Sequence, residues 1–295
     1  MYKLLLCCLC VLFSACFGKG KSQNAHNAIN NEDKNEVITL PSELKEISGI
    51  TFITDSIVAA IEDEHGILYF ININTKKIIK KYEFSGDGDY EDLERVGNDI
   101  YITESNGTIF EIKDFDTNNP KMNKYKTPLK KKNDIESITY NTENKVLLLA
   151  VKKHNLDKDD KESEEKNIYQ FSLATKKLDE KPFYRIKIKD IENFYKGGPL
   201  EEKSKKFLKT LGNENLTEVI TPSAMAYHPI TGELYILSSI NHIVVVLNKE
   251  GNFSNIIKFA GVDFRQPEGI SFNSKGELFI SNEGQKQSGN IIKIK

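Results

Sequence analysis

Beyond the N-terminal stretch, apolar and polar residues alternate with a period of two in short runs, and each run is cut by a turn. The clearest set is residues 223–227 (SAMAY), 233–237 (ELYIL), 242–247 (HIVVVL) and 255–259 (NIIKF). Runs of this length, rich in β-branched and aromatic residues, predict strands and not helices. Thr231-Gly232 and Glu250-Gly251 separate them, where glycine enters a left-handed turn without steric cost.

The strands are grouped. A four-residue segment ending in an aliphatic or thioether side chain opens each group: Ile47-Ser48-Gly49-Ile50, Tyr90-Glu91-Asp92-Leu93, Ile135-Glu136-Ser137-Ile138, Pro222-Ser223-Ala224-Met225 and Pro267-Glu268-Gly269-Ile270. Their third positions, 49, 92, 137, 224 and 269, are separated by 43, 45, 87 and 45 residues. Four strands in about 45 residues is the spacing of a propeller blade. The third group reads as strands at 137–140, 146–151, 168–173 and 183–188. The last group ends after three strands, and residues 36–40 (EVITL) can supply its fourth, which would close the ring and hide its edges.

The double step of 87 residues separates two architectures. Most of 190–220 shows no four-strand pattern; residues 199–211 (PLEEKSKKFLKTL) carry apolar positions between a leading Pro199 and a following Gly212, the punctuation of a helix. The prediction is an all-β, five-bladed β-propeller with a helical insertion, six blades being the alternative. A second insertion, 152–167 (KKHNLDKDDKESEEKN), reads as a solvated loop. It is no EF-hand, because Lys161 and Glu162 stand where a ligand and a glycine are needed.

Several stretches together resemble the SdiA-regulated family of exported bacterial β-propellers. They are SGITF with IEDEHGILYFI, GDGDYEDLE with IYITESNGTIFEI, DIESITY, TPSAMAYHPITGELYILSS and QPEGISFNSKGELFISNEG, in the family's order. At Glu91-Asp92-Leu93 the family more often carries Glu-Gly/Ala-Ile. The resemblance implies the propeller fold and export, and brings no agreed activity.

The N-terminus agrees with export. Lys3 precedes an apolar run, Leu4 to Phe13, that suits a secretory signal and is too short for a permanent bilayer span. It closes on Phe13-Ser14-Ala15-Cys16, similar to a bacterial lipobox, in which the cysteine is lipidated and becomes the mature N-terminus. A cleaved signal without lipid is the alternative. The four cysteines are Cys7, Cys8, Cys10 and Cys16, so cleavage before Cys16 leaves no thiol for a disulfide or a metal in the domain. The organisation expected is a signal peptide (1–15), a flexible tether (16–35) and a propeller domain (36–295), anchored in the cell envelope by lipid and monomeric. A net charge of −2, with lysines and acids interspersed, leaves no basic patch for nucleic acid.

Repeat alignment places Ser48, Glu91, Glu136, Ser223 and Glu268 at one position, at the start of the innermost strand, where they ring the channel. The next strand ends at Asp63 and Glu64, Glu104, Lys152, Ser239, and Asn282 with Glu283. Two carboxylates about 4 Å apart repel by roughly 4 kcal/mol at an effective dielectric near 20. A cation, a counter-charge such as Lys152 or a raised pKa relieves that. Glu91, Glu136, Glu268, Asp63, Glu104 and Glu283 are therefore candidate metal ligands, and calcium is the natural ion because it takes six to eight hard oxygens. The histidines (His26, His65, His154, His228, His242) are scattered, which disfavours a softer metal. The competing reading is that the glutamates cap strand-start N–H groups and hold blades together. The run Asp87-Gly88-Asp89 onward could add a second cation site or be a solvated loop. GxSxG, HExxH and Gly-rich phosphate motifs are absent. Two function classes remain: an envelope module binding calcium, a small ligand or an envelope protein, or a metal-dependent hydrolase resembling phytase-like or lactonase-like propellers.

The N-terminal reading has a direct check. Feeding cells a fatty-acid analogue should label the wild-type protein, and Cys16→Ser should lose the label and leave the membrane fraction; an unlabelled wild type removes the anchor.

Overall fold

A computed structural model describes residues 35–156, 165–187, 220–240, 242–259 and 263–295. Twenty strands form five four-stranded antiparallel sheets. A short strand, β1 (Glu36–Thr39), comes first. Blade 1 follows as β2 (Ile47–Thr54), β3 (Ile57–Glu62), β4 (His65–Asn72) and β5 (Lys77–Asp87). Blade 2 is β6 (Tyr90–Val96), β7 (Asp99–Glu104), β8 (Thr108–Lys113) and β9 (Lys121–Lys126). Blade 3 is β10 (Ile135–Asn141), β11 (Val146–Val151), β12 (Glu165–Ser172) and β13 (Lys177–Lys187). Blade 4 is β14 (Pro222–Tyr227), β15 (Leu234–Ser238), β16 (Ile243–Leu247) and β17 (Phe253–Lys258). Blade 5 is β18 (Pro267–Phe272), β19 (Leu278–Asn282) and β20 (Asn290–Lys293), completed by β1.

The ring is five-bladed, and its closure is the one the incomplete last repeat predicted. β1 pairs antiparallel with β20 through Glu36↔Lys293 to Thr39↔Asn290. Inner strands pack in the cycle β2, β6, β10, β14, β18 and back to β2. β10 contacts β14 directly, so the inner strands of the described residues close into a five-membered ring. The helix expected at 199–211, the signal and tether up to residue 34, Cys16, and residues 157–164 of the charged insertion lie outside the described residues. Among the described residues the helical structure is a single 3-10 turn, Ser42–Leu44.

Each blade buries both faces, so its inner strands are buried almost continuously, and β-rich composition cut by turns marks them more than strict alternation does. Five apolar clusters fill the wedges between consecutive sheets: Tyr69 and Phe279 between blades 1 and 5, Phe84 and Phe110 between 1 and 2, Tyr169 and Tyr101 between 2 and 3, Ile186 and Ile236 between 3 and 4, Phe259 and Ile280 between 4 and 5. Outer strands carry the weakest signal, being lysine-rich and solvated on one side. Two of them accordingly begin earlier than the pattern placed them, β13 at Lys177 and β17 at Phe253.

Every inner strand also carries a β-bulge near its start. Register slips between Ile47 and Ile50, Tyr90 and Asp92, Ile135 and Ser137, Pro222 and Ala224, and Pro267 and Gly269. A bulge leaves one residue unpaired and re-aims its side chain. The unpaired residues include Ser48, Glu91, Glu136, Ser223 and Glu268, the repeat-equivalent set.

The third position that follows is the tightest point of the ring. A Cβ on Gly269 would lie 2.6 Å from the Ser48 carbonyl oxygen, and one on Gly49 would lie 2.7 Å from Asp92 Cα. Gly269→Ala should therefore destabilise the protein by about 1–3 kcal/mol, the usual cost of overpacking. Urea unfolding measures it, with Gly86→Ala, where a Cβ meets nothing within 4 Å, as the control. Equal midpoints for the two variants would show that the seam between blades 5 and 1 is looser than described.

Candidate functional site

The bulges bring Glu91, Glu136 and Glu268 to one mouth of the channel, and the ends of the second strands bring Lys152, Ser239 and Glu283 beside them. Glu136 is 6% exposed, and its Oε2 lies 2.9 Å from Lys152 Nζ. Ser239 Oγ donates to Glu268 Oε1 at 3.2 Å. Glu91 sits among Glu136, Asp89 and Asp134, with Lys152 as its favourable neighbour. No hydrogen bond among the described residues holds its carboxyl.

Electrostatics follow from that crowding. Burial, then the charge of Glu136, pushes the Glu91 carboxyl far above the ordinary carboxylate range. Burial also raises Glu136, to about 7, although Lys152 pulls the other way. Glu268 is raised by burial against the bonds of Gln266 and Ser239. Lys152 is itself raised: burial disfavours its charge, but Glu136, Glu268 and Asp134 outweigh that. One lysine thus faces three glutamates at the mouth, and desolvation is the largest cost on each glutamate.

The acidic surface continues onto blades 1 and 5. Glu283 lies beside Glu46: burial, then Glu46, raises its pKa to about 8, while the interaction with Glu283 lowers Glu46. Glu283 also feels Glu268 and Asp63, which joins the two groups of acids into one mouth. Asp63 is raised to about 6 by burial and by Glu62, and its Oδ1 is buried without a hydrogen-bond partner. Next to it, Glu62, Glu64 and His65 can bring one ligand atom each within 4.8 Å of one another, an acidic triad of metal-binding composition. Part of that proximity is local folding, because Glu62 accepts the backbone N–H groups of Glu64 and His65 and lies 2.9 Å from His65 Nδ1.

Of the six acids expected here, Glu91, Glu136, Glu268, Glu283 and Asp63 converge. Glu104 is half-buried at the end of β7, acts on Tyr90 and makes no bond to the others. The blade-holding role falls to the serines of the ring instead: Ser48 Oγ donates to the Tyr90 carbonyl at 2.9 Å, and Ser223 Oγ reaches that of Pro267. In the acidic run, Asp89 accepts from Ser105 Oγ and Asp87 is exposed.

Three groups escaped the sequence reading. Glu46 precedes the repeat unit, so alignment carried no signal for it. Asp92 stands where the neighbouring blade has Gly49; it is 2% exposed and accepts from Ser137 Oγ and the N–H groups of Ile138 and Leu93, tying blade 2 to blade 3. The room for its carboxylate is what Gly49 leaves open. Glu94 lies two residues further on, in a ring with Thr51, Thr139, Ala226 and Ser271 at the far end of the channel; aligning that position as well would have found it.

No curated protein matches the chain. Among solved structures it is similar to a glutaminyl cyclase of Myxococcus xanthus, at 10% identity and a TM-score of 0.56, over 88% of this chain and 94% of that one. It is also similar to a streptogramin B lyase, at 12% identity and a TM-score of 0.51, over 88% and 97%. At such identities the likeness concerns the fold alone. The sequence model of the SdiA-regulated family matches residues 122–286, more than half of the chain and including most of blades 3 to 5. The chain belongs to the SdiA-regulated family.

Proposed function

We propose that the protein is a cell-envelope binding module, held to a bacterial membrane by lipid on Cys16, whose channel mouth takes a calcium ion. The observation that carries this is the charge imbalance at the mouth: Glu91, Glu136 and Glu268 converge on the single Lys152, and desolvation disfavours all three anions. Several carboxylates in loose, partly hydrated geometry are the donor set calcium prefers. Glu91, without a hydrogen bond, and Asp63, with a bare Oδ1, are the acids with most to gain from a cation. The lack of a nucleophile motif favours binding over covalent catalysis. A hydrolase reading needs the same ion, which would polarise a phosphoester or lactone while a carboxylate activates water; turnover is what separates the two.

Calorimetric titration of the purified protein with calcium should show uptake, and Glu91→Gln, Glu136→Gln, Glu268→Gln together should abolish it. A wild type that takes up no calcium, beside a more stable triple variant, would mean the repulsion is simply left unrelieved and the cation site is wrong. Metal-dependent turnover of a phosphoester or lactone panel would replace the binding reading with the enzymatic one.

The same groups set a pH dependence. Asp63, Glu136 and Glu283 hold their protons more tightly folded than unfolded, with folded values of about 6, 7 and 8. Their contribution is fully present below the ordinary carboxylate range and is lost as pH rises through those values. In calcium-free buffer the melting temperature should fall between about pH 5 and 8. Calcium should flatten that fall, the triple glutamine substitution, which removes Glu136 but keeps Asp63 and Glu283, should flatten part of it, and a flat wild-type profile without calcium would contradict the assigned electrostatics.

A further inference from the structure

The opposite mouth of the channel differs in chemistry from the acidic one. There the inner strands enclose a cavity of about 490 Å³, within the size range of small-molecule sites. Its floor is one repeat-equivalent position from every blade: Thr51, Glu94, Thr139, Ala226 and Ser271. We infer that this cavity binds a small organic cation, an ammonium group carried on an apolar or ring-shaped body.

Glu94 is the centre of the argument. Its carboxylate accepts from Thr51 Oγ1 at 3.3 Å, Thr139 Oγ1 at 3.0 Å and its neighbour's N–H, that of Arg95, at 2.9 Å. The backbone of Tyr140 donates to it as well. All of these donors are neutral. The one cation beside it in sequence, Arg95, is spent elsewhere: Nε donates to the Gly97 carbonyl, Nη1 to that of Ile53, and the guanidinium lies over the Phe115 ring. Burial pushes Glu94 up to about 7 against those four bonds, and no cation among the described residues forms an ion pair with it.

The ligand class follows from what surrounds that charge. A metal ion is disfavoured, since the carboxylate's lone pairs are already taken by four donors and the floor offers no second carboxylate. An anion is repelled. An ammonium needs no lone pair of its own, because its attraction to a buried carboxylate is non-directional and it gains further over aromatic faces. Phe52, Tyr227, His228 and Phe272 line the walls, with the His228 and Phe272 rings 4.8 Å apart. His228 Nδ1 accepts from the N–H groups of Ile230 and Thr231, which turns Nε2 away from those two bonds. Ser271 is 7% exposed and lines the cavity, and its hydroxyl makes no hydrogen bond among the described residues, which leaves it able to accept from an N–H⁺ group. The remaining charges facing Glu94 are Asp92 on its own strand, and Glu143 and Lys249 at the rim, which offset one another.

The test uses the full chain and three matched probes: benzylamine, benzyl alcohol and benzoate. Calorimetry at pH 8 should detect benzylamine alone, with affinity several-fold weaker at pH 6, where Glu94 is largely protonated. Glu94→Gln should weaken benzylamine by about tenfold or more, the scale of a desolvated cation contact. Since that variant disturbs bonds between blades, Ala226→Leu is the second: it fills the floor without touching Glu94's donors, and should abolish benzylamine uptake while leaving calcium titration unchanged. Equal uptake of benzyl alcohol would make the cavity a site for neutral ligands. That result, a preference for benzoate, no uptake of benzylamine, or an Ala226→Leu variant that still binds it would each overturn the inference. The outcome at the calcium mouth bears on neither arm.

Discussion

Five strands must run side by side around one axis, and the space at that axis is what the rest of the molecule answers to. The contact is close enough that backbone meets backbone: a Cβ on Gly269 would fall 3.3 Å from Gly49 Cα as well as against the Ser48 carbonyl. Small residues at the third position are one response. The other is the bulge just before it, repeated in all five blades, which takes one residue out of register and turns it toward the opening. Packing and site geometry therefore share a cause: the device that lets the inner strands meet also presents Glu91, Glu136 and Glu268 together.

Serine and glutamate then divide that position according to what lies across the seam. Ser48 and Ser223 are short enough to reach the first carbonyl of the next inner strand and lock the blades. A glutamate carboxylate has no proton to donate to that carbonyl and extends into the mouth, where it finds Lys152, a serine hydroxyl or another acid. Asp92 shows the same rule one residue later: an acid fits the crowded third position because its neighbour, Gly49, has no side chain, and it repays burial with bonds to Ser137 and Ile138.

The ring, its closure and most of its acidic mouth were legible in the sequence because each is periodic. The blade motif recurs at a fixed spacing, and the missing fourth strand of the last repeat had one candidate, residues 36–40, of which Glu36–Thr39 pairs with β20. What escaped was aperiodic or overlooked within the period. Glu46 belongs to the segment between β1 and β2, and only the fold sets it against Glu283. Glu104 was included by repeat position, and no hydrogen bond or ion pair among the described residues ties its carboxylate to the other acids. Glu94 was hidden by its partners: threonine, alanine and serine at the matching positions look like ordinary inner-strand filler until the cavity beneath them is seen.

Two buried glutamate–lysine pairs show why proximity to a lysine does not by itself mark a site. Glu111 lies 2.6 Å from Lys176 Nζ and also accepts from Tyr101, Asn123 and Tyr125. Burial opposes its charge, but those donors win and bring its pKa down to about 2. That carboxylate is fully satisfied and staples blade 2 to blade 3. Glu136 lies at a similar 2.9 Å from Lys152, yet its pKa moves up, because burial outweighs that one lysine and the charges of Asp134 and Glu268 add to the rise. A satisfied charge has nothing to gain from a ligand, whereas an oversubscribed lysine leaves its acids open to one. The difference lies in how many donors reach each buried carboxylate, and it separates the staple at Glu111, with four, from the mouth at Glu136, with Lys152 alone.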